Sequence, residues 1–289
     1  MSHWQTIGPP FVVDGPSPVA PRNGLLDVAT ILPTPTDAHW VGGVRLRGYS
    51  DAVPVGSAPC YTGSPAFVRE QGGALPQPTF GPFTVYVPVT CSTFILADPA
   101  EFEAWKQKAV AVFEAREGWL VETELVTAQL NPLNPHLADD QVALLNPAPE
   151  DGVDAEYALE LMEEAAAETA SQAVFHVDPM TATKLVSLNL IAQDGAFLRT
   201  IASRTPVVVG GGYVGLTPDD SGSTLGARDS WAWVTGPIHI RRGGVTVLSQ
   251  NIVESTDRAT NEVTVYVERD YVVAYDGALQ AAVKVDRSV

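Results

Sequence analysis

The chain has 289 residues, 45% of them hydrophobic, and a formal net charge of −17. This apolar content is enough for a sizeable core and excludes a wholly disordered chain. With 17 Lys plus Arg against 34 Asp plus Glu, the surface repels phosphate, which argues against sequence-specific nucleic-acid binding and against anionic membranes as partners.

The first hundred residues are rich in turn formers. Residues 1–38 combine many Pro and Gly with apolar side chains, which predicts an extended arm lying against another surface. In residues 39–97, apolar and polar positions alternate near 44–47 and over 83–89, with Gly- and Pro-rich sequence between them. This pattern predicts a long two-stranded excursion. Such a ribbon is only marginally stable alone and needs a partner surface.

A strong helix signal follows. Asp98-Pro99 with Glu101 is a helix start, and apolar side chains from Phe102 onward recur on one face. Gly118 is expected to end or bend this helix. The next segment, 119–125, fits either continued helix or a strand.

The rest of the chain alternates helices and strands. Asp154 precedes an Ala-, Glu- and Leu-rich helix to about 171, and Asp178-Pro179 begins another helix that is expected to reach 194. A short buried strand is predicted between them, at 173–177. Further strands are predicted at 205–213, 231–240 (with an interruption), 262–275 and 281–285. This order predicts an α+β fold.

Motifs that would carry chemistry lack their required context. The triple glycine 210–212 has neither a Gly-Lys-Ser/Thr sequence nor a following helix, so it favours a tight turn over a phosphate loop. Ser223 and the other serines next to glycines have no neighbouring histidine. Glu160 and Glu164 share a helix face without Glu-x-x-His, which indicates a solvated acidic face. The five histidines and two cysteines lack zinc spacing. We expect no enzyme activity, no metal and no cofactor.

Targeting and redox signals are few. No run of about 18 apolar residues exists, and residues 1–5 do not resemble a secretory signal, so we expect the chain to stay in the cytoplasm where it is made. Cys60 and Cys91 lie nearly symmetrically about the turn near Leu75-Pro76 and can meet if the excursion is one hairpin. A reducing cytoplasm argues against a disulfide and a finished extracellular particle permits one, so the pairing stays open.

The order of elements resembles that of the major capsid protein of tailed bacteriophages, which has the Hong Kong 97-type fold. The short phrases that carry the resemblance are VETEL at 121–125, HVDP at 176–179, VVVGGGY at 207–213, WAWVTGPI at 231–238 and VERDY at 267–271. They look like capsid subunits of siphophages infecting actinobacteria. The resemblance implies an N-terminal arm at 1–38, an extended β loop at 39–97, a peripheral domain with a spine helix at 98–130, an axial domain at 131–250 and a return to the peripheral domain at 251–289.

The resemblance also implies a function. Such subunits form pentamers and hexamers of an icosahedral head that encloses double-stranded DNA without sequence-specific binding. They assemble in the host cytoplasm, reside in the virion and have no membrane partner. Portal and decoration proteins are implied as partners. Because residues 1–38 are too short and Pro-rich for a helical scaffolding segment, either a separate scaffold protein or an uncleaved arm is expected to serve assembly. Some members link subunits through a lysine in the extended loop. The four lysines here are Lys106, Lys108, Lys184 and Lys284. None lies in 39–97, so we expect a noncovalent shell.

The cations of the extended loop are the candidate contact residues. We expect Arg45, Arg47 and Arg69 to pair with carboxylates on a neighbouring subunit. The alternatives are an encapsulin-type nanocompartment shell with the same fold, another virion part such as a tail or adaptor protein, a soluble binding domain, and an enzyme of unknown class.

Overall fold

A computed structural model describes residues 16–32, 42–45, 78–92, 99–139, 142–148, 151–169, 172–218, 228–249 and 251–288. The helices in these ranges are α1 Leu25–Val28, α2 Pro99–Thr127, α3 Ala155–Glu168, α4 Pro179–Ser187 and α5 Ile252–Ser255. The strands are β1 Thr30–Leu32, β2 Val44–Arg45, β3 Thr79–Phe80, β4 Phe83–Ser92, β5 Ala143–Leu144, β6 Val174–Val177, β7 Ile191–Asp194, β8 Phe197–Thr200, β9 Pro206–Val209, β10 Asp229–Thr235, β11 Ile238–Arg242, β12 Thr246–Val247, β13 Thr256–Asp257, β14 Glu262–Tyr275 and β15 Gln280–Asp286.

The first sheet is built around the long strand β14. Strand β4 pairs with it antiparallel from Tyr271↔Phe83 to Glu262↔Ser92, while β11, β12 and β13 pair with its other edge. Helix α2, hereafter the spine helix, packs on one face of β4 and β14. The strands alternate accordingly, since Val265 and Val267 are buried while Tyr266 is exposed. Burial of this apolar face against the spine helix stabilises the sheet.

The second sheet has the order β5-β15-β10-β6-β9-β8-β7. Helix α3 packs on β15 and β10, and α4 contacts α3 and β7. The core between them contains Phe175, Ala232, Val283 and Met162. The predicted buried strand at 173–177 is confirmed, because every residue of β6 is buried.

The chain crosses between the two sheets at two adjacent points. Strand β10 ends in the second sheet and β11 begins in the first, so the predicted interrupted strand at 231–240 is two strands of different sheets. At the crossing, the Gly236 N–H donates to the Leu279 carbonyl at 3.1 Å and the Asp276 N–H donates to the Pro237 carbonyl at 3.3 Å. A Cβ on Gly236 would lie 2.6 Å from the Asp276 Cβ. Only glycine therefore fits where the two crossings touch.

Two predicted helix ends are settled by the structure. The spine helix does not stop at Gly118 but continues to Thr127. Segment 119–125, for which the sequence allowed either helix or strand, is therefore helical. The expected continuation of α4 to residue 194 is wrong: the helix ends at Ser187, and β7 forms a hairpin with β8. Asn189 takes a left-handed φ of 57°, which stops helical hydrogen bonding.

The predicted helix starts at Asp154 and Asp178 are confirmed. The Asp154 side chain accepts from the Tyr157 N–H, and the Asp178 side chain accepts from the N–H groups of Met180 and Thr181. Each aspartate thus satisfies backbone donors that have no partner within the helix.

The expectation that 83–89 is the second strand of a two-stranded excursion is wrong. Strand β4 belongs to the first sheet because its apolar residues Val85 and Val87 are buried beneath the spine helix. Of the excursion, the described residues show one short antiparallel pair, β2 with β3, in the register Val44↔Phe80.

The described part of the arm, residues 16–32, packs on its own chain. Leu25 is completely buried, and β1 pairs parallel with β11 from Thr30↔His239 to Leu32↔Arg241.

The two sheets do not follow the predicted domain limits. Strands β11 and β12, from the predicted axial range 131–250, belong to the first sheet, and β15, from the predicted peripheral range 251–289, belongs to the second. The five domain limits stay a prediction.

Candidate functional site

The structure places only one of the three predicted contact residues. Arg45 lies on β2, is exposed, and donates from Nε to the Thr79 Oγ1 at 2.9 Å. Arg47 and Arg69 lie outside the described residues. The pairing of these cations with a neighbouring subunit stays a prediction.

The two cysteines are also split by the limits of the description. Cys91 lies half-buried on β4 opposite Val263, and burial raises the pKa of its thiol. Cys60 lies outside the described residues, so the disulfide stays open.

The triple glycine forms a tight turn, as predicted. Strand β9 leads into Gly210 and a short 3-10 helix, Gly211–Tyr213; residues 210–213 are called the glycine turn below. A Cβ on Gly212 would lie 2.5 Å from the Glu122 Cβ and 2.8 Å from the Thr123 N. The Gly212 N–H donates to the Glu122 Oε2 at 3.1 Å. The Gly212 N–H, which a phosphate loop would offer to a phosphate, is therefore already bonded to a carboxylate of the same chain.

The spine helix carries three buried carboxylates that the sequence analysis did not single out: Glu117, Glu122 and Glu124. The side chain of Glu124 closes the loop after the helix, accepting from the N–H groups of Leu130 at 2.7 Å and Asn131 at 2.9 Å. Burial raises the pKa of Glu124, although these hydrogen bonds lower it.

Glu117 is the centre of an ion-pair cluster between the spine helix and the first sheet. Its carboxylate accepts from the Arg269 Nη1 at 2.7 Å and from the Tyr271 hydroxyl, and lies 3.6 Å from the Arg242 Nη1. Burial and the nearby carboxylate raise the pKa of Tyr271, so its hydroxyl remains a donor.

His176 lies at the centre of a buried polar chain in the second sheet. Its Nδ1 is 3.0 Å from the Tyr213 hydroxyl and its Nε2 is 3.0 Å from the Thr235 Oγ1. Thr235 donates its own hydroxyl proton to the Gly236 carbonyl at 2.9 Å. His176 must therefore donate from Nε2 to Thr235 and accept at Nδ1 from Tyr213. Burial lowers the pKa of His176 to about 3, so it is neutral.

The face of β4 and β14 turned away from the spine helix is exposed and carries two tyrosines, Tyr86 and Tyr266; we call it the outer face. Thr84 donates to Asp270 at 2.6 Å across the two strands, which orders one end of this face. Tyr86 is 57% exposed and Tyr266 is 44% exposed. Exposed tyrosines on an ordered sheet surface are typical of protein contact surfaces.

The described ranges hold no group of three or more His, Cys, Asp or Glu residues that could bind a metal ion. No helix in them has the length and hydropathy needed to cross a bilayer.

The fold is similar to that of solved capsid structures over nearly its whole length. A chain from the capsid of an empty GTA particle aligns with a TM-score of 0.55 and 14% identity, covering 96% of this chain and 95% of the other. A chain from Mycobacterium phage Ogopogo gives 0.54 and 14%, covering 96% of both chains. A chain from the capsid of Ralstonia phage GP4 gives 0.50 and 11%, covering 100% and 98%. No protein-family model and no curated protein matches the sequence.

These similarities define the class of fold. The arm, the spine helix and the two sheets between which the chain crosses form a Hong Kong 97-type capsid fold. The α+β class expected from the sequence is confirmed.

Proposed function

We propose that this chain is a structural major capsid protein that self-assembles into the pentamers and hexamers of an icosahedral phage head around double-stranded DNA. The observation that carries the proposal is the whole-chain extent of the fold similarity to a capsid subunit, 96% of this chain and 95% of the other. A match to one sheet alone would also fit a binding domain that shares only that sheet with capsid subunits. Here the aligned region includes both sheets and the spine helix.

The surface of the subunit supports assembly. The outer face presents Tyr86 and Tyr266, and the spine helix presents Trp119, which is 51% exposed. Leu133, in the loop after the spine helix, is 91% exposed. Large apolar side chains on several faces are costly for an isolated subunit and are covered when copies pack together.

The shell is proposed to be noncovalent. All four lysines of the chain lie outside residues 39–97, so the extended loop has no amine for an isopeptide bond. Boiled particles in denaturing gel electrophoresis are expected to run as a single band at the mass of one chain. A ladder of multimers that survives reducing agent would contradict a noncovalent shell.

The shell is proposed to enclose DNA without recognising its sequence. A net charge of −17 favours a lining that does not adhere to packaged DNA, because phosphate binding requires clustered cations. Scaffold, portal and decoration proteins are the proposed partners, the virion is the proposed location and the host cytoplasm is the proposed place of assembly. No catalytic role is proposed.

Negative-stain electron microscopy of the expressed full chain tests the proposal. Closed shells of uniform diameter are expected, and a monodisperse species of one or a few subunits would contradict assembly. Particles from a producing culture, treated with nuclease and then extracted, are expected to release double-stranded DNA. Particles filled with a protein cargo would instead assign the chain to the encapsulin-type shells.

A further inference from the structure

One buried carboxylate joins three parts of the chain that are far apart in sequence. Glu122 of the spine helix accepts from the Leu25 N–H of the arm at Oε1, 3.0 Å away, and from the Gly212 N–H of the glycine turn at Oε2, 3.1 Å away. Each oxygen thus serves one segment. Glu122 is 3% exposed, so water does not replace either partner.

The backbone around Glu122 fits closely over its side chain. A Cβ on Gly210 would lie 2.3 Å from Oε2, and a Cβ on Gly24 would lie 3.1 Å from Oε1. The arm and the sheet also touch directly, because the Val209 N–H donates to the Asn23 carbonyl at 2.7 Å. The arm therefore covers Oε1, and its release would open that oxygen to water while the glycine turn remains over Oε2.

We propose that Glu122 is a proton-dependent latch, which holds the arm more tightly on the spine helix and glycine turn when its carboxyl group is neutral than when it is ionised. Enclosure by the arm removes water from the carboxylate, and desolvation disfavours the charged form. The two N–H donors offset part of that cost.

The environment of Glu122 contains one group that raises its pKa by charge, Asp27, and one buried neutral group, Tyr213. Burial raises the pKa of Glu122 from its usual 4.5 to about 7, the hydrogen bonds from Leu25 and Gly212 lower it, and the negative charge of Asp27 on α1 raises it. Tyr213 of the glycine turn has a strongly raised pKa because of burial and of Glu122, so it stays neutral. Strand β9, with the sequence Pro-Val-Val-Val, carries no titratable side chain.

The direction of the pH effect follows from proton linkage. Glu122 binds its proton more tightly with the arm docked, where its pKa is about 7, than with the arm released, where less of its side chain is desolvated. The contribution of Glu122 to docking is therefore present at low pH and is lost as the pH rises through 7. Between pH 5.5 and pH 8, the docking equilibrium should weaken by about tenfold.

Hydrogen exchange of the full chain, followed by mass spectrometry, tests the latch. After correction for the intrinsic pH dependence of exchange, peptides covering residues 16–32 should be about tenfold less protected at pH 8 than at pH 5.5. In Glu122→Gln the amide nitrogen cannot accept, so one of the two N–H bonds is lost. The arm should then be less protected, and equally so at both pH values.

Two further variants separate the latch from a general loss of structure. Glu124→Gln changes another buried carboxylate of the same helix and should leave the pH dependence of the arm intact. Asp27→Asn removes an exposed charge without touching the core, and should move the midpoint of the pH effect slightly to lower pH. Arm protection that is equal at both pH values, or greater at pH 8, would overturn the proposal. The comparison of wild-type arm protection at the two pH values keeps this test decisive even if Glu122→Gln fails to fold.

Discussion

Glu117 of the spine helix and Arg269 of β14 form a buried ion pair in which Oε2 and Nη1 are 2.7 Å apart. Only 6% of the Glu117 side chain and 10% of the Arg269 side chain are exposed. The Tyr271 hydroxyl donates to the same carboxylate oxygen. The pair therefore fixes the middle of the spine helix to the central strand of the first sheet.

Replacement of Glu117 by Ala should destabilise the subunit by about 3–5 kcal/mol, because Arg269 would be left as an uncompensated buried charge. Urea unfolding followed by circular dichroism measures the loss. Glu114→Ala, an exposed position one turn earlier, is the matched control and should change the free energy of unfolding by no more than about 0.5 kcal/mol. Equal effects of the two substitutions would show that the ion pair has no special role.

Replacement of Gly212 by Ala should destabilise the subunit by about 1–3 kcal/mol through overpacking. The added methyl group would lie 2.5 Å from the Glu122 Cβ and 2.7 Å from the Trp119 carbonyl oxygen, so the glycine turn would have to move off the spine helix. Gly244→Ala is the control, since its Cβ would meet nothing within 4 Å. Thermal unfolding should separate the two variants, and a Gly212→Ala protein as stable as Gly244→Ala would contradict the close packing.

His176 should make the stability of the subunit fall in mild acid. Burial lowers its pKa to about 3 from the usual 6.5. A depressed pKa contributes stability that is present above 6.5 and is lost as the pH falls toward 3. Relative to His176→Phe, the wild type should lose about 2 kcal/mol between pH 7 and pH 5. The opposite effect of Glu122 is common to both proteins and cancels in the comparison.

The stability of His176→Phe at pH 7 gives a second readout. The substitution leaves the Tyr213 hydroxyl without its acceptor, whereas Thr235 keeps the Gly236 carbonyl. A loss of about 1–3 kcal/mol is expected for the buried unsatisfied donor. Parallel pH profiles of the two proteins would show that His176 does not titrate as argued.

Local signals in the sequence predicted helix starts and strand types well, because those depend on neighbouring residues. Asp154 and Asp178 cap their helices through hydrogen bonds within three residues. Partner choice was harder to predict. Strand β4 alternates in the same way whether it belongs to a free ribbon or to the first sheet, and only the distant β14 decides between them. The end of α4 depended on Asn189, which alone is a weak stop signal.

For the buried carboxylates of the spine helix, the sequence indicated burial but not the hydrogen-bond partners. Glu117 lies four residues from Phe113 and four from Val121, within the buried stripe of the helix. That spacing was a usable sign of burial. Nothing local to Glu122 indicated its partners, because Leu25 and Gly212 are 97 and 90 residues away.

The loop cations should act between subunits. Single changes Arg45→Glu, Arg47→Glu and Arg69→Glu should each reduce the yield of particles without unfolding the subunit, because a reversed charge would repel the carboxylates proposed on a neighbour. Particle yield is measured by sedimentation, and folding by circular dichroism of the unassembled fraction. Arg→Lys at each position keeps the cation and is the matched control. Normal yields in all three Glu variants would reject the pairing.

Whole copies of this fold are proposed to form a closed shell. Cryo-electron microscopy of particles purified from a producing culture should therefore give an icosahedral reconstruction with pentamers at the vertices and hexamers between them. Both sheets and the spine helix should fit the density of every subunit, with packed DNA inside. A tube, an open ring, or a particle in which this chain occupies only an internal or tail position would contradict the proposed shell.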